Sequence, residues 1–393
     1  MANKFRVEQL SYSLVNGKEN QYFLSLNGRR YYVGQFVIEI LELLQKQRSY
    51  QEIALELNKN HDTDFFSESS IQQTVEVDFV QQGMLSDGTD EDKVADGYQQ
   101  YIYGRINFLK PSRFPQILNT LSYLFTPVLF IGISVLSTIF TVFFLTQEYE
   151  VIIHAETYSL QILLLFFAFS IINTFWHEVG HATAAHRFGV APKDIGFGFY
   201  IVYPIFFTDV SDIWQLNKNQ RNIVNLGGIY FQMIVNLLLI SLYHILPSFW
   251  IAPALVAFNT GVALVSLNPF FRYDGYWVYS DSFNLTNLRS RSNLYVKSLF
   301  QKIMGKETKS WKELLSTPKS LILYSITSTI FFIIIFTLLG WGFVSQIKTI
   351  TEIVKNANLE GWSKDIVWSI FTKAITIVML PVFIIWTFAK RKK

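Results

Sequence analysis

His177-Glu178-Val179-Gly180-His181 closes a run of apolar residues that starts near Leu160, and the fold turns on how this stretch is read. On a helix, residues four apart share a face, so His177 and His181 can aim imidazole nitrogens at one metal ion. Glu178, one position round, then faces a water on that metal. A catalytic zinc needs three protein ligands and an open position, and it brings the pKa of bound water to about 7, within reach of a neighbouring carboxylate. The apolar setting predicts a zinc site built into a membrane segment. Alternatively, the two histidines are buried polar residues satisfied inside a helix bundle, or the motif persists without activity. An ionisable triplet in a membrane segment is costly without a function.

Outside the motif only His61, His154, His186 and His244 remain, too few for the several His-rich boxes of integral-membrane di-iron enzymes. Half of the 393 residues are hydrophobic, 36 are Phe and 16% are charged, more apolar than an ordinary soluble protein. The first hundred or so residues are polar, which predicts a soluble domain over residues 1–98 and a membrane domain over residues 99–393. Met1 to Asn20 lacks an apolar core, so no signal peptide is expected and the first domain should stay in the cytoplasm. With no cysteine, thiolate zinc, disulfides and thiol catalysis are excluded. No Walker-type glycine loop is present, so the chain would not drive transport itself.

Six apolar runs are long enough to be read as spans: Leu118 to Leu145, Leu160 to Ala184, Ile223 to Leu246, Trp250 to Leu267, Leu321 to Val344 and Ile366 to Phe388. Lys110 and Arg113 precede the first; Arg187, Lys193, Lys218 and Arg221 lie between the second and third; Lys390-Arg391-Lys392-Lys393 ends the chain. The excess of positive residues predicts both termini on the cytoplasmic side of the membrane, although Lys348, Lys355 and Lys364 dilute the signal in the last outer loop. The second span then carries His177 and His181 to the cytoplasmic leaflet. The fourth ends at the same depth, just before Leu267-Asn268-Pro269-Phe270-Phe271-Arg272-Tyr273-Asp274-Gly275-Tyr276, which makes Asp274 the natural third ligand; by itself it also reads as a solvated loop aspartate.

HEVGH at one helix end, with the Asn268-Pro269 and Asp274-Gly275 pairs at a later one, resembles the site-2 protease family of intramembrane zinc metalloproteases over residues Gly104 to about Lys390. The resemblance implies His177, His181 and Asp274 as Zn2+ ligands and Glu178 as general base. Pro204 to Trp214 and Arg272 to Tyr276 are similar to the bacterial branch of peptide zinc metalloproteases linked to ribosomally made, modified peptides. Gly227-Gly228, Gln232 and Asn236 recur at helical spacing on the third span. They read as close packing through small residues with a polar interhelical bond; the resemblance implies instead substrate contacts by Asn236 and by Asn268 of the Asn-Pro pair.

Phe188 to Leu216 alternates Gly, aromatic and β-branched residues, which predicts a short hairpin or re-entrant sheet beside the metal. Its edge could hold an extended peptide, or it could merely cover the end of the bundle. In the soluble part, Asn16-Gly17 and Asn27-Gly28 interrupt alternating stretches from Tyr12 to Val33, which predicts a strand hairpin. Helices follow over Gln35 to Gln45, Ser49 to Leu57 and Ser69 to Gln82, with Ser49 and Glu52 forming a capping box. This order is similar to the PqqD-like winged-helix fold that recognises leader peptides, which implies contacts from Arg30, Tyr31, Tyr32 and Val33 with Ile71, Val75 and Phe79. The apolar ones are equally expected as core. The acid-rich stretch from Asp62 to Asp96 and the lack of a basic helix disfavour nucleic acid. Asp87 to Gly97 reads as a charged linker, and Arg289 to Lys319 as an interfacial helix on anionic lipid.

Together these observations predict an α-helical polytopic membrane protein with a site-2 protease-like core, a small β element and an N-terminal winged-helix α+β domain. Its expected activity is Zn2+-dependent hydrolysis of a peptide or membrane-peptide substrate, in the company of a modifying enzyme or exporter of the same pathway. The competing readings are a non-catalytic peptide export or immunity component, and regulated proteolysis of a membrane-bound signalling protein.

Overall fold

Two tight aromatic and aliphatic strand alternations open the described chain. The computed structural model describes residues 10–14, 21–26, 29–80, 84–85, 102–153, 160–200, 203–246, 248–305 and 311–360, with parts of 363–374. Strands β1 (Leu10–Leu14), β2 (Gln21–Leu26) and β3 (Arg29–Gly34) form an antiparallel meander in the order β1-β2-β3. The expected hairpin therefore has a third strand. Leu26 pairs with Arg29, so two residues separate β2 from β3; the expected Asn27-Gly28 and Asn16-Gly17 turns lie outside the described residues.

Helix α1 (Gln35–Gln45) follows directly, then α2 (Tyr50–His61) and α3 (Glu68–Gln73), which continues as a π-helical turn over Thr74–Phe79. The Ser49 hydroxyl accepts from the Glu52 amide and the Glu52 carboxylate accepts from the Ser49 amide, the expected capping box. Strand alternation sends Leu24 and Leu26 inward to meet Leu41, Leu44, Ile53, Leu57 and Ile71, whereas Phe23 points to the opposite face of the sheet.

Strand β4 (Ile102–Leu109), which was not expected from the sequence, pairs antiparallel with β5 (Ile195–Tyr200), and β6 (Tyr203–Thr208) completes a sheet ordered β4-β5-β6. The predicted hairpin between the second and third apolar runs is thus present, with an added strand. Between β4 and β5 come α4 (Pro115–Ser122), α5 (Pro127–Gln147), α6 (Tyr149–Ile153) and α7 (Leu160–Arg187); after β6 come α8 (Lys218–Ile245), α9 (Ala252–Ser266) and α10 (Asp274–Ser282). Helices α11 (Leu288–Ile303), α12 (Trp311–Leu315) and α13 (Lys319–Glu360) follow.

Among the described residues four helices, α5, α7, α8 and α13, are long and apolar enough to cross a membrane. Three of the six expected spans take a different form among the described helices. The first apolar run is divided, Leu118 lying on α4 and the long helix starting only at Pro127, where Pro occupies a favoured first-turn position. The fourth gives the 15-residue α9, shorter than the about 20 residues a span requires. The fifth and the outer loop after it are one continuous helix, so Lys348 and Lys355 are helical. The sixth run lies largely outside the described residues.

The chain divides into two compact units, Met1–Tyr200 with Pro204–Leu288, and Ile201–Tyr203 with Arg289–Lys393. In the first, α8 is central: 56% of its most apolar stretch is buried, against 17% for α5 and α7. Helices α7 and α8 pack through glycine, since a methyl on Gly180 would meet the Gly227 carbonyl and one on Gly228 would occupy the place of the His177 ring. In the second unit, the Arg289 guanidinium of α11 lies over the Phe332 ring of α13 at 4.5 Å.

Candidate metal centre

His177 and His181 sit one turn apart near the end of α7, and their Nε2 atoms are 3.1 Å from each other. Asp274 begins α10, and its Oδ2 lies 3.1 Å from His177 Nε2 while its Oδ1 lies 3.4 Å from His181 Nε2. One ligand atom from each of the three residues falls within 4.8 Å of the other two. Gly275 makes this approach possible, because a side chain there would collide with the Leu267 carbonyl at the end of α9. Asn268 lies outside the cluster: its Oδ1 accepts from the Phe270 amide at 2.8 Å, and so shapes the turn that delivers Asp274.

The other ring nitrogens are held from α8. His181 Nδ1 meets the Val224 carbonyl at 2.8 Å, and His177 Nδ1 meets Gln232 Oε1 at 3.1 Å. Both partners are acceptors, so both Nδ1 atoms carry the proton and both Nε2 lone pairs point at each other and at a carboxylate. Asp274 Oδ2 is buried with no hydrogen-bond donor. Three electron-rich atoms converging without a donor fit a cation, and two imidazoles with one carboxylate are a ligand set that suits zinc.

Glu178 is buried and faces two cavities that meet at the cluster. One, about 130 Å3, lies toward the sheet and α9, among Ile205, Phe206, Val262 and Arg272. The other, about 70 Å3, lies among Phe207, Ile213, Trp214 and Trp277. Asp274 lines both. The Thr208 hydroxyl of β6 donates to the Glu178 carbonyl at 2.9 Å, which ties the sheet to the helix turn that carries the motif.

Asn236 is not at the metal. Its amide donates to Thr141 and Thr260 and its oxygen accepts from Asn259, which in turn accepts from Asn173 and donates to the Gln232 carbonyl. The side-chain oxygen and nitrogen of Asn236 thus both have partners inside the bundle, as the packing reading expects. Tyr31, Val33, Val75 and Phe79 likewise contribute their side chains to the apolar core of the N-terminal layer, and so does Ile71. The Tyr32 side chain lies outside the described residues.

A buried ion pair was missed altogether. Arg221, counted above among loop charges, is on α8 and 2% exposed; its Nε donates to Asp281 Oδ1 at 2.7 Å, its Nη1 to the Leu216 carbonyl, and Asn225 donates to Asp281 Oδ2. Asp281 is two helical turns beyond Asp274, so this pair pins α10 to the same helix that orients both histidines. Sixty residues separate the partners, and no local spacing could have joined them.

The fold and site define an α-helical protein with apolar helices of membrane-crossing length and a His-His-Asp cluster able to hold a metal ion. Over 126 residues the chain is 28% identical to a Bacillus subtilis (strain 168) protein named "Putative peptide zinc metalloprotease protein YydH"; the match covers 30% of this chain and 48% of that relative. The chain thus spans just under half the length of the curated relative it matches. No family profile matches, and no solved structure matches.

Proposed function

We propose that this protein is an intramembrane zinc endopeptidase of the site-2 protease kind, acting on a peptide in the maturation of a ribosomally made, modified product. The observation that carries the reading is the delivery of Asp274, 97 positions beyond His177 in the chain, to within 3.1 Å of its Nε2, with Glu178 on the adjoining cavity wall. The partial similarity to a relative named as a peptide zinc metalloprotease supports the reaction class.

His177, His181 and Asp274 would hold the ion. Zinc there supplies Lewis-acid polarisation of a peptide carbonyl and acidifies water. The Glu178 carboxylate takes a proton from the attacking water and returns it to the leaving amine nitrogen. Gln232 and the Val224 carbonyl hold the imidazoles in one tautomer and orientation, and the apolar helices limit access of bulk water. The N-terminal layer would recruit the peptide as a PqqD-like domain does. We place the metal toward the cytoplasmic face of a bacterial cytoplasmic membrane, on the strength of Arg187, Lys193 and Lys218 near that end of the bundle.

Metal content of the purified protein tests this. About one zinc per chain is expected in the wild type, lost in Asp274→Ala and retained in Glu178→Gln, with peptide hydrolysis lost in both. Metal-free wild type from zinc-replete cells, or zinc indifferent to Asp274, would overturn the ligand set and favour a non-catalytic peptide-handling role.

A further inference from the structure

The two cavities share Glu178 and Asp274, so a peptide crossing the metal cluster places a residue on each side of it. The larger is lined by Ile205, Phe206, Val262, Gln232 and Arg272; the smaller has Phe207, Ile213, Trp214 and Trp277 as walls, with its polar lining residues between them. Phe207, Ile213 and Trp214 are all under a tenth exposed. Several polar groups that also line the smaller cavity are engaged within the protein: Asp281 by Arg221 and Asn225, the Thr208 hydroxyl by the Glu178 carbonyl, and Asp209 by the Ser211 amide and hydroxyl. What its aromatic and aliphatic walls offer a ligand is apolar surface. Its roughly 70 Å3 compares with about 10–15 Å3 for a single water, which leaves room for an aliphatic side chain of four or five heavy atoms.

We infer that this smaller cavity is a substrate subsite, in which Trp214 and Trp277 select a leucine-sized apolar side chain on one side of the cleaved bond. The inference rests on the zinc endopeptidase reading above. The walls are braced: the Arg221 guanidinium lies over the Trp214 ring at 5.4 Å, and Trp214 meets Trp277 edge-on with centroids 6.2 Å apart. A rigid apolar chamber discriminates by buried area, because each buried side-chain carbon adds affinity that a shorter side chain cannot recover.

The test needs no known substrate. Full-length, zinc-loaded protein in detergent is titrated calorimetrically with acetohydroxamate and with 4-methylpentanohydroxamate, which share a metal-binding head and differ in an aliphatic tail. The tailed compound should bind about tenfold tighter or more. Trp277→Ala should bring the ratio close to one while leaving acetohydroxamate unchanged, and Val262→Ala, in the wall of the larger cavity, should leave the ratio intact. Trp214→Ala is the second variant should Trp277→Ala fold poorly. Equal affinities in the wild type, or a ratio that collapses with Val262→Ala instead, would overturn the subsite. Failure of acetohydroxamate itself to bind brings down the zinc reading and the subsite with it, an outcome separate from the loss of tail preference alone.

Discussion

The N-terminal layer and the helical bundle bury opposite kinds of group. In the layer, Leu24, Leu41, Leu57 and Val75 meet in a core of apolar side chains, and its described ion pairs, Arg48 with Glu52 and His61 with Glu39, are at least partly exposed. In the bundle, Asn173, Gln232, Asn236 and Asn259 are linked through the interior, Arg221 and Asp281 are 3% exposed at the side chain, and the metal cluster lies beside them. Water drives the first arrangement, because transferring apolar surface out of it is favourable. Apolar surface gains little by leaving lipid, so helices there associate through close glycine contacts and polar pairs. The same contrast explains why α5 leaves Val128, Ile131, Val135 and Ile139 exposed while the layer hides residues of the same kind.

The largest effect should come from the bundle. Arg221→Ala leaves Asp281 buried and unpaired, and should destabilise the protein by about 3–5 kcal/mol, read as a fall in the thermal unfolding midpoint in detergent. The double change Arg221→Met with Asp281→Leu should recover most of that loss. A single variant as stable as wild type would show that the pair is solvated and would erase the contrast. Next comes the apolar core: Leu57→Ala should cost about 3 kcal/mol in the layer, with unchanged zinc content because the metal cluster is elsewhere. Zinc lost along with the layer would show that the two regions do not unfold separately.

The smallest effect concerns the cap of α2, where Ser49→Ala should cost about 1 kcal/mol at neutral pH. The Ser49 amide holds the Glu52 carboxyl below its ordinary range. A depressed folded-state pKa stabilises above the unfolded carboxylate pKa, and that contribution fades as pH falls through the folded value. Glu52→Gln should therefore remove this part of the acid-side decline, seen in unfolding curves measured across the acid range.

Much of this was legible in the chain because it is local. A five-residue motif, a capping box and an apolar period of 3.6 place α7, α1 and the start of α2 with little help from the rest of the molecule. The approach of Asp274 to the two histidines was foreseen because the fourth apolar run ends just before Asn268-Pro269, and the short helix it forms does deliver Asp274 beside them. What escaped depends on distant partners or on properties that hydropathy does not measure. Strand β4 pairs with β5 about 90 residues on; its alternation, Arg105, Ile106, Asn107, Phe108, is short, follows Gly104 and gave little away by itself. Helix α13 continues past the apolar run because Lys348, Glu352 and Lys355 are good helix formers, so a fall in hydropathy marks a change of surroundings and not the end of the helix. Asn236 and Tyr31 carry residue types suited to binding, and only packing shows their polar atoms or rings already committed.

Phe23 points away from its own core and stacks on Trp214, with ring centroids 5.3 Å apart and planes within 2°. Trp214 is also a wall of the chamber beside the metal cluster. The N-terminal sheet therefore touches a wall of the chamber directly. The stack couples the two places: a change at the Phe23 ring reaches a wall of the chamber, and a change at Trp214 reaches the sheet.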